Sequence, residues 1–114
     1  MNPWVSINGE IVAALEPILP TAHDVYSGSA KTYAIFTTYN RIPEINASGK
    51  SHATGTYGDI DVFSDKDISG ESSIIGTITT ALEAVGIIVK DARDIPFDGV
   101  SHHVLIPFYK SVPR

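Results

Sequence analysis

The sequence predicts an α+β fold, a single layer of mostly antiparallel sheet packed by two helices in the order α-β-β-β-α-β-β. Three observations predict it. Residues 69–85 carry one apolar stripe at helical spacing, residues 54–64 alternate at strand spacing, and the other apolar segments are short and bounded by Gly, Pro, Asn or Asp. At 114 residues the chain is the size of one domain, taken as residues 1–114, with one hydrophobic core.

Each element follows from its residues. Asn2 to Glu16 reads as a helix, with Trp4, Ile7, Ile11 and Leu15 three or four apart. Asn2 can cap it and Pro3 suits its first turn, although Gly9 leaves a later start at Asn8 open. Pro17 and Pro20 end it. Asp24 to Ser27 is a short candidate strand. Tyr33 to Tyr39, β-branched and aromatic with bulky residues of both parities, reads as a central strand covered on both faces. Asn40 to Ala53 is polar, contains Pro43, Gly49 and Lys50, and reads as a long, mobile loop.

From Thr54 to Ser64 the chain reads as a strand. Thr56, Gly58, Ile60 and Val62 share one face; Tyr57, Asp59, Asp61 and Phe63 share the other. Ser69 to Val85 reads as the second helix, capped by Ser69, favoured by Glu71 near its positive end and stopped at Gly86. Ile87 to Ile95 and His102 to Lys110 read as a hairpin around Asp98-Gly99. Pro107 cannot donate a ladder hydrogen bond, so the last strand is expected at a sheet edge, with Val104, Ile106 and Phe108 on one face.

Composition narrows the function. Net charge is −5 with no Lys/Arg cluster, so the footprint of nucleic-acid binding is missing. There is no cysteine, which excludes disulfides and thiolate chemistry. Met1-Asn2-Pro3-Trp4 does not open a signal peptide, and no apolar run reaches the ~20 residues of a membrane span. Synthesis in the cytosol is the expectation.

Tests for chemistry return nothing specific. Asp59, Asp61, Asp65 and Asp67 fail the calcium-loop pattern because Phe63 stands at its fifth position; Asp59 and Asp61 read as a solvated strand face. His102 and His103 are adjacent and point to opposite faces of a strand, and no histidine pair has the helical spacing of zinc enzymes. Ser27-Gly28-Ser29 is not a nucleophile elbow, and Gly55-Thr56-Tyr57-Gly58 is not a phosphate loop. The expectation is a non-enzyme without a catalytic residue, metal or cofactor.

Residues in order carry a resemblance. They are Ile11, Val12 and Leu15; Tyr33-Ala34-Ile35-Phe36; the polar segment; Asp59-Ile60-Asp61-Val62-Phe63; Ile74-Ile75-Gly76-Thr77-Ile78 with Leu82 and Gly86; and Val104-Leu105-Ile106-Pro107-Phe108. This succession resembles the tail terminator and tail completion proteins of long-tailed bacteriophages. The resemblance implies a homo-oligomeric ring, commonly of six subunits, at the head-proximal end of the tail tube. Its partners would be its own copies, the tail tube protein and the head connector. Its place would be the virion, after synthesis in the bacterial host. Candidate partner-binding residues are Arg41, Pro43, Glu44, Asn46, Lys50 and His52 in the polar segment, and Val104, Ile106 and Phe108 on the last strand. A small ligand-binding module, another neck or connector module, and a small hydrolase are the alternatives.

Overall fold

The computed structural model describes residues 3–45, 51–68 and 74–113. In chain order the elements are α1 (Pro3–Leu15), β1 (Thr21–His23), β2 (Tyr33–Ile45), β3 (Ser51–Ser64), α2 (Ile74–Ala84), β4 (Ile88–Val89), β5 (Arg93–Ile95) and β6 (His102–Pro113). The α+β class is as the sequence predicts. The sheet runs β1-β2-β3-β6-β4, with β5 also paired to β6, and only β1–β2 is parallel.

Both helices press on one sheet face. Ile7, Ile11 and Leu15 of α1 and Ile75, Ile78 and Leu82 of α2 are buried against Ala34, Phe36, Ile60, Val62, Ile106 and Phe108. The i, i+3 and i, i+4 spacings of the helices and the i, i+2 spacing of the strands place all twelve in one layer. Helix α2 ends with the Gly86 N–H donating to the Glu83 carbonyl and the Ile87 N–H to the Leu82 carbonyl, at 3.1 Å each. Gly86 has φ of 82°, the left-handed conformation that this ending requires. Lys110 ties the layers together: its Nζ donates to the Val85 carbonyl at 2.9 Å and pairs with Glu10 of α1. The expected cap at Ser69 and the role of Glu71 lie outside the described residues.

Five expectations need correction. The first strand is Thr21–His23, not Asp24 to Ser27, because Asp24 adopts φ of 67° and turns the chain out of extended backbone. Among the described residues the helices cover only one face of β2; Tyr33 and Ile35, of the other parity, are half-buried on the opposite face. Ile87 to Ile95 forms two short strands, not one, with residues 90–92 between them.

The polar segment is the largest correction. Asn40–Ile45 continues β2 and Ser51–Ala53 begins β3, paired from Asn40↔Tyr57 to Ile45↔Ser51. The Ala34 N–H and Phe36 carbonyl point to the β1 side. A bulge between Thr38 and Asn40 then shifts the register by one residue. Beyond it Arg41 and Pro43 turn their main chain to the outer edge, where the missing N–H of Pro43 breaks no ladder bond.

Pro107 likewise does not put β6 at an edge, since β6 lies between β3 and the β4/β5 pair. The Pro107 carbonyl accepts from the Lys90 N–H at 2.8 Å, so its nitrogen faces the same side, where residues 90–92 interrupt the neighbouring strand. The proline sits at the one gap that tolerates it.

Paired far beyond the helices, β2 and β3 project with the end of β6 as a three-stranded arm. The molecule measures 52 × 24 × 23 Å, and its radius of gyration is 15.0 Å. A compact chain of this length would have about 13 Å.

Candidate functional site: the uncovered sheet face

Opposite the helices, the sheet presents a face on which no described element packs except the Tyr26 ring. Its side chains follow from alternation. Every second residue from Tyr33 to Thr37, from Tyr57 to Phe63 and from His103 to Tyr109 turns away from the core and is half-buried.

Strand register sorts these residues into rows. Tyr33, Phe63, His103 and Ile95 form one; Ile35, Asp61, Leu105 and Arg93 the next; Thr37, Asp59 and Pro107 a third; Tyr57 and Tyr109 a fourth. Along the first row the rings touch in series. Tyr26 stacks on Tyr33 at 4.4 Å, Tyr33 on Phe63 at 5.3 Å, and Phe63 on His103 at 4.3 Å. Tyr57 and Tyr109 meet at 4.7 Å. Cross-strand aromatic pairs of this kind contribute roughly 0.5–1.5 kcal/mol each beyond area burial.

The polar groups lie between the aromatic rows. His103 Nε2 and Asp61 Oδ1 are hydrogen-bonded at 2.7 Å. Asp59 has its carboxyl pushed above the ordinary value of 3.8, first by burial and then by the like charge of Asp61, with Arg93 opposing. A carboxylate already short of solvent on an aromatic face suits contact with a cationic or hydrogen-bond-donating partner group.

A cavity of about 300 Å³ opens at the end of the sheet away from the arm. Asp67 and Ile68 form one wall; Asp94, Phe97 and His102 form the other. The Phe97 and His102 rings stack at 4.4 Å. Among the described residues no group of three His, Asp or Glu is placed to hold a metal ion.

The residues named from the sequence are separated by the structure. Arg41, Pro43 and Glu44 lie on the β2 half of the arm and His52 on the β3 half, while Asn46 and Lys50 fall outside the described residues. Val104, Ile106 and Phe108 are not partner-binding residues: they are 3%, 0% and 1% exposed, buried under the chain's own helices. The apolar parity of β6 is the core, and the surface is the other parity, His103, Leu105 and Tyr109. Sequence reasoning missed that aromatic surface. The signal was available in Tyr57 and Phe63, which share a face opposite the one the apolar helix must cover.

No described helix is long and apolar enough to cross a membrane. No protein-family model matches the chain, and no curated protein matches it.

Proposed function

We propose that the chain is a structural assembly subunit that works through its uncovered sheet face and its arm. We take the assembly to be the head-proximal ring of a bacteriophage or prophage tail, where the subunit ends tube growth and joins tube to connector. One observation carries this reading: the half-buried rows of Tyr33, Ile35, Tyr57, Phe63, Leu105 and Tyr109 have no covering layer within the described chain. A sheet normally buries its apolar faces against another layer, and an apolar face left open on a folded subunit marks a contact surface. The arm adds reach, projecting main chain well beyond the core.

Light scattering across a concentration series, followed by electron microscopy of the protein mixed with purified tail tubes, tests the reading. Closed rings that seat on one tube end are expected. A protein that is monomeric throughout and ignores tubes overturns it.

The cavity beside Phe97 and His102 favours one other reading, a module that binds a small ligand. Saturable binding of a metabolite by a monomer, with no tube binding, is the outcome that selects it.

A further inference from the structure

The cavity at the end of the sheet away from the arm is built by two segments, each held by its own hydrogen bonds. One wall follows β3. The buried hydroxyl of Ser64 accepts from the Lys66 N–H at 3.1 Å and is hydrogen-bonded to Thr32 Oγ1 at 2.8 Å, which sets the path of Asp67 and Ile68. The opposite wall follows β5. There Asp98 Oδ1 accepts from the Val100 N–H at 2.8 Å and the Ser101 N–H at 2.9 Å, closing the loop that carries Phe97. The Phe97 ring is set by its stack on His102, at 4.4 Å and 22°. Walls ordered in advance lose little entropy when a ligand binds.

The lining is apolar where it is buried and acidic where it is exposed. Ile68 and Val104 belong to the core cluster. Asp67 and Asp94 are exposed and stand on opposite walls. No Lys or Arg lines the cavity. Strand alternation removes Arg93: Asp94 pairs with the core residue Val104, so Arg93, paired with Leu105, turns to the uncovered sheet face. Its charge acts there on Asp59. Lys66, the other base next in sequence to one of these acids, also lies outside the lining. With the imidazoles of His102 and His103 neutral, the lining carries two negative charges and no positive one. An anionic ligand finds no opposite charge in it; a cation finds two.

The ring decides the shape of the cation. His102 covers one side of Phe97, yet Phe97 is 55% exposed, which leaves its other side open to stacking. A planar guanidinium stacks on an aromatic ring and pairs with a carboxylate through two parallel N–H donors; a compact, strongly hydrated ammonium matches neither geometry as well. The volume of about 300 Å³ lies at the lower end of ligand sites and suits a short alkylguanidinium.

We propose that this cavity binds a small guanidinium compound. The planar cation lies on the Phe97 ring and donates to Asp94, its alkyl chain runs against Ile68 and Val104, and Asp67 adds negative charge from the facing wall. The inference rests on the ligand-binding reading of the cavity given above. The site is complete in one chain, so it does not depend on the ring.

The test is calorimetric titration of the full chain with agmatine and with N-butylurea, a planar but uncharged counterpart. Agmatine lacks the carboxylate that Asp67 and Asp94 would repel, and it should saturate a single site on each chain. N-butylurea should bind about tenfold more weakly or worse, the scale of one charge-assisted hydrogen bond. D94N and F97L should each weaken agmatine binding by about the same factor. Both side chains are exposed, so melting curves of the two variants should match the parent. Asp65→Asn, an exposed acid outside the lining, should leave binding unchanged. Either D94N or F97L binding agmatine as tightly as the parent overturns the proposal, as does Asp65→Asn weakening it as much as D94N. N-butylurea binding as tightly as agmatine overturns the guanidinium class and leaves the cavity a ligand site. An agmatine titration that never saturates overturns the proposal whatever the ring experiments give.

Discussion

Asp59 shows how one residue reports what a surface is for. A solvated strand aspartate would ionise near 3.8, yet burial among Tyr57, Pro107 and their neighbours, together with the adjacent Asp61, raises it. The sign follows from linkage. The folded chain holds this proton more tightly than the unfolded chain, so stability falls as pH rises from about 3.8 through the raised value. Asp59→Asn should therefore be slightly more stable than the parent at pH 7, by roughly 0.5 kcal/mol or less given solvent screening at this partly exposed site. The difference should vanish below about pH 3.8, as read from urea unfolding at several pH values. Equal stability at pH 7 would remove the argument that this face is short of water. Thr56 makes the same point inside the core: its hydroxyl is buried with no hydrogen-bond partner among the described residues. Such a group costs about 1–3 kcal/mol.

At the scale of elements, the β2–β3 hairpin turns on a bulge and a glycine. At the bulge between Thr38 and Asn40, the Thr37 carbonyl and the Phe108 ring both lie where a side chain at Gly58 would project. A Cβ at Gly58 would overlap both, and the carbonyl is backbone that cannot swing aside. Gly58→Ala should destabilise the fold by at least the ~1–3 kcal/mol typical of overpacking, measured by chemical denaturation. A cost under half a kcal/mol would show that the bulge relaxes freely. The irregularity of the hairpin falls in β2, between Thr38 and Asn40, opposite Gly58. The sequence does not reveal that the polar residues beyond this bulge pair as strands. Pro43 is the reason: a proline reads as a break when its neighbours are unknown, and it breaks nothing where its nitrogen faces an open edge. Pro107 misled for the same reason, since its nitrogen faces the gap at residues 90–92.

For the whole molecule, the arm and the helix-covered body are separable. The apolar core residues of the sheet among the described residues are Ala34, Phe36, Ile60, Val62, Val104, Ile106 and Phe108, in one cluster with the helices. Deleting residues 43–54 and joining Ile42 to Gly55 through Asn-Gly should leave a cooperative fold, since loop closure depends only logarithmically on length. Small-angle scattering should then show the radius of gyration falling from 15.0 Å toward about 13 Å. An unchanged radius, or an unfolded product, would show that the arm is not a separate extension of the core.

The amino-acid sequence by itself determined the α+β class, the long helix before Gly86, and the two faces of the strand from Thr56 to Phe63. These are local matters: a period of 3.6 or 2 and a residue that accepts a left-handed φ are written in neighbouring positions. Tertiary structure alone decided which face the helices cover. It also decided that Val104, Ile106 and Phe108 are core rather than contact, and that Asn40–Ile45 pairs with Ser51–Tyr57. Those depend on which strand lies beside which, and an apolar residue of one parity reads the same whether its own helix or a second molecule covers it.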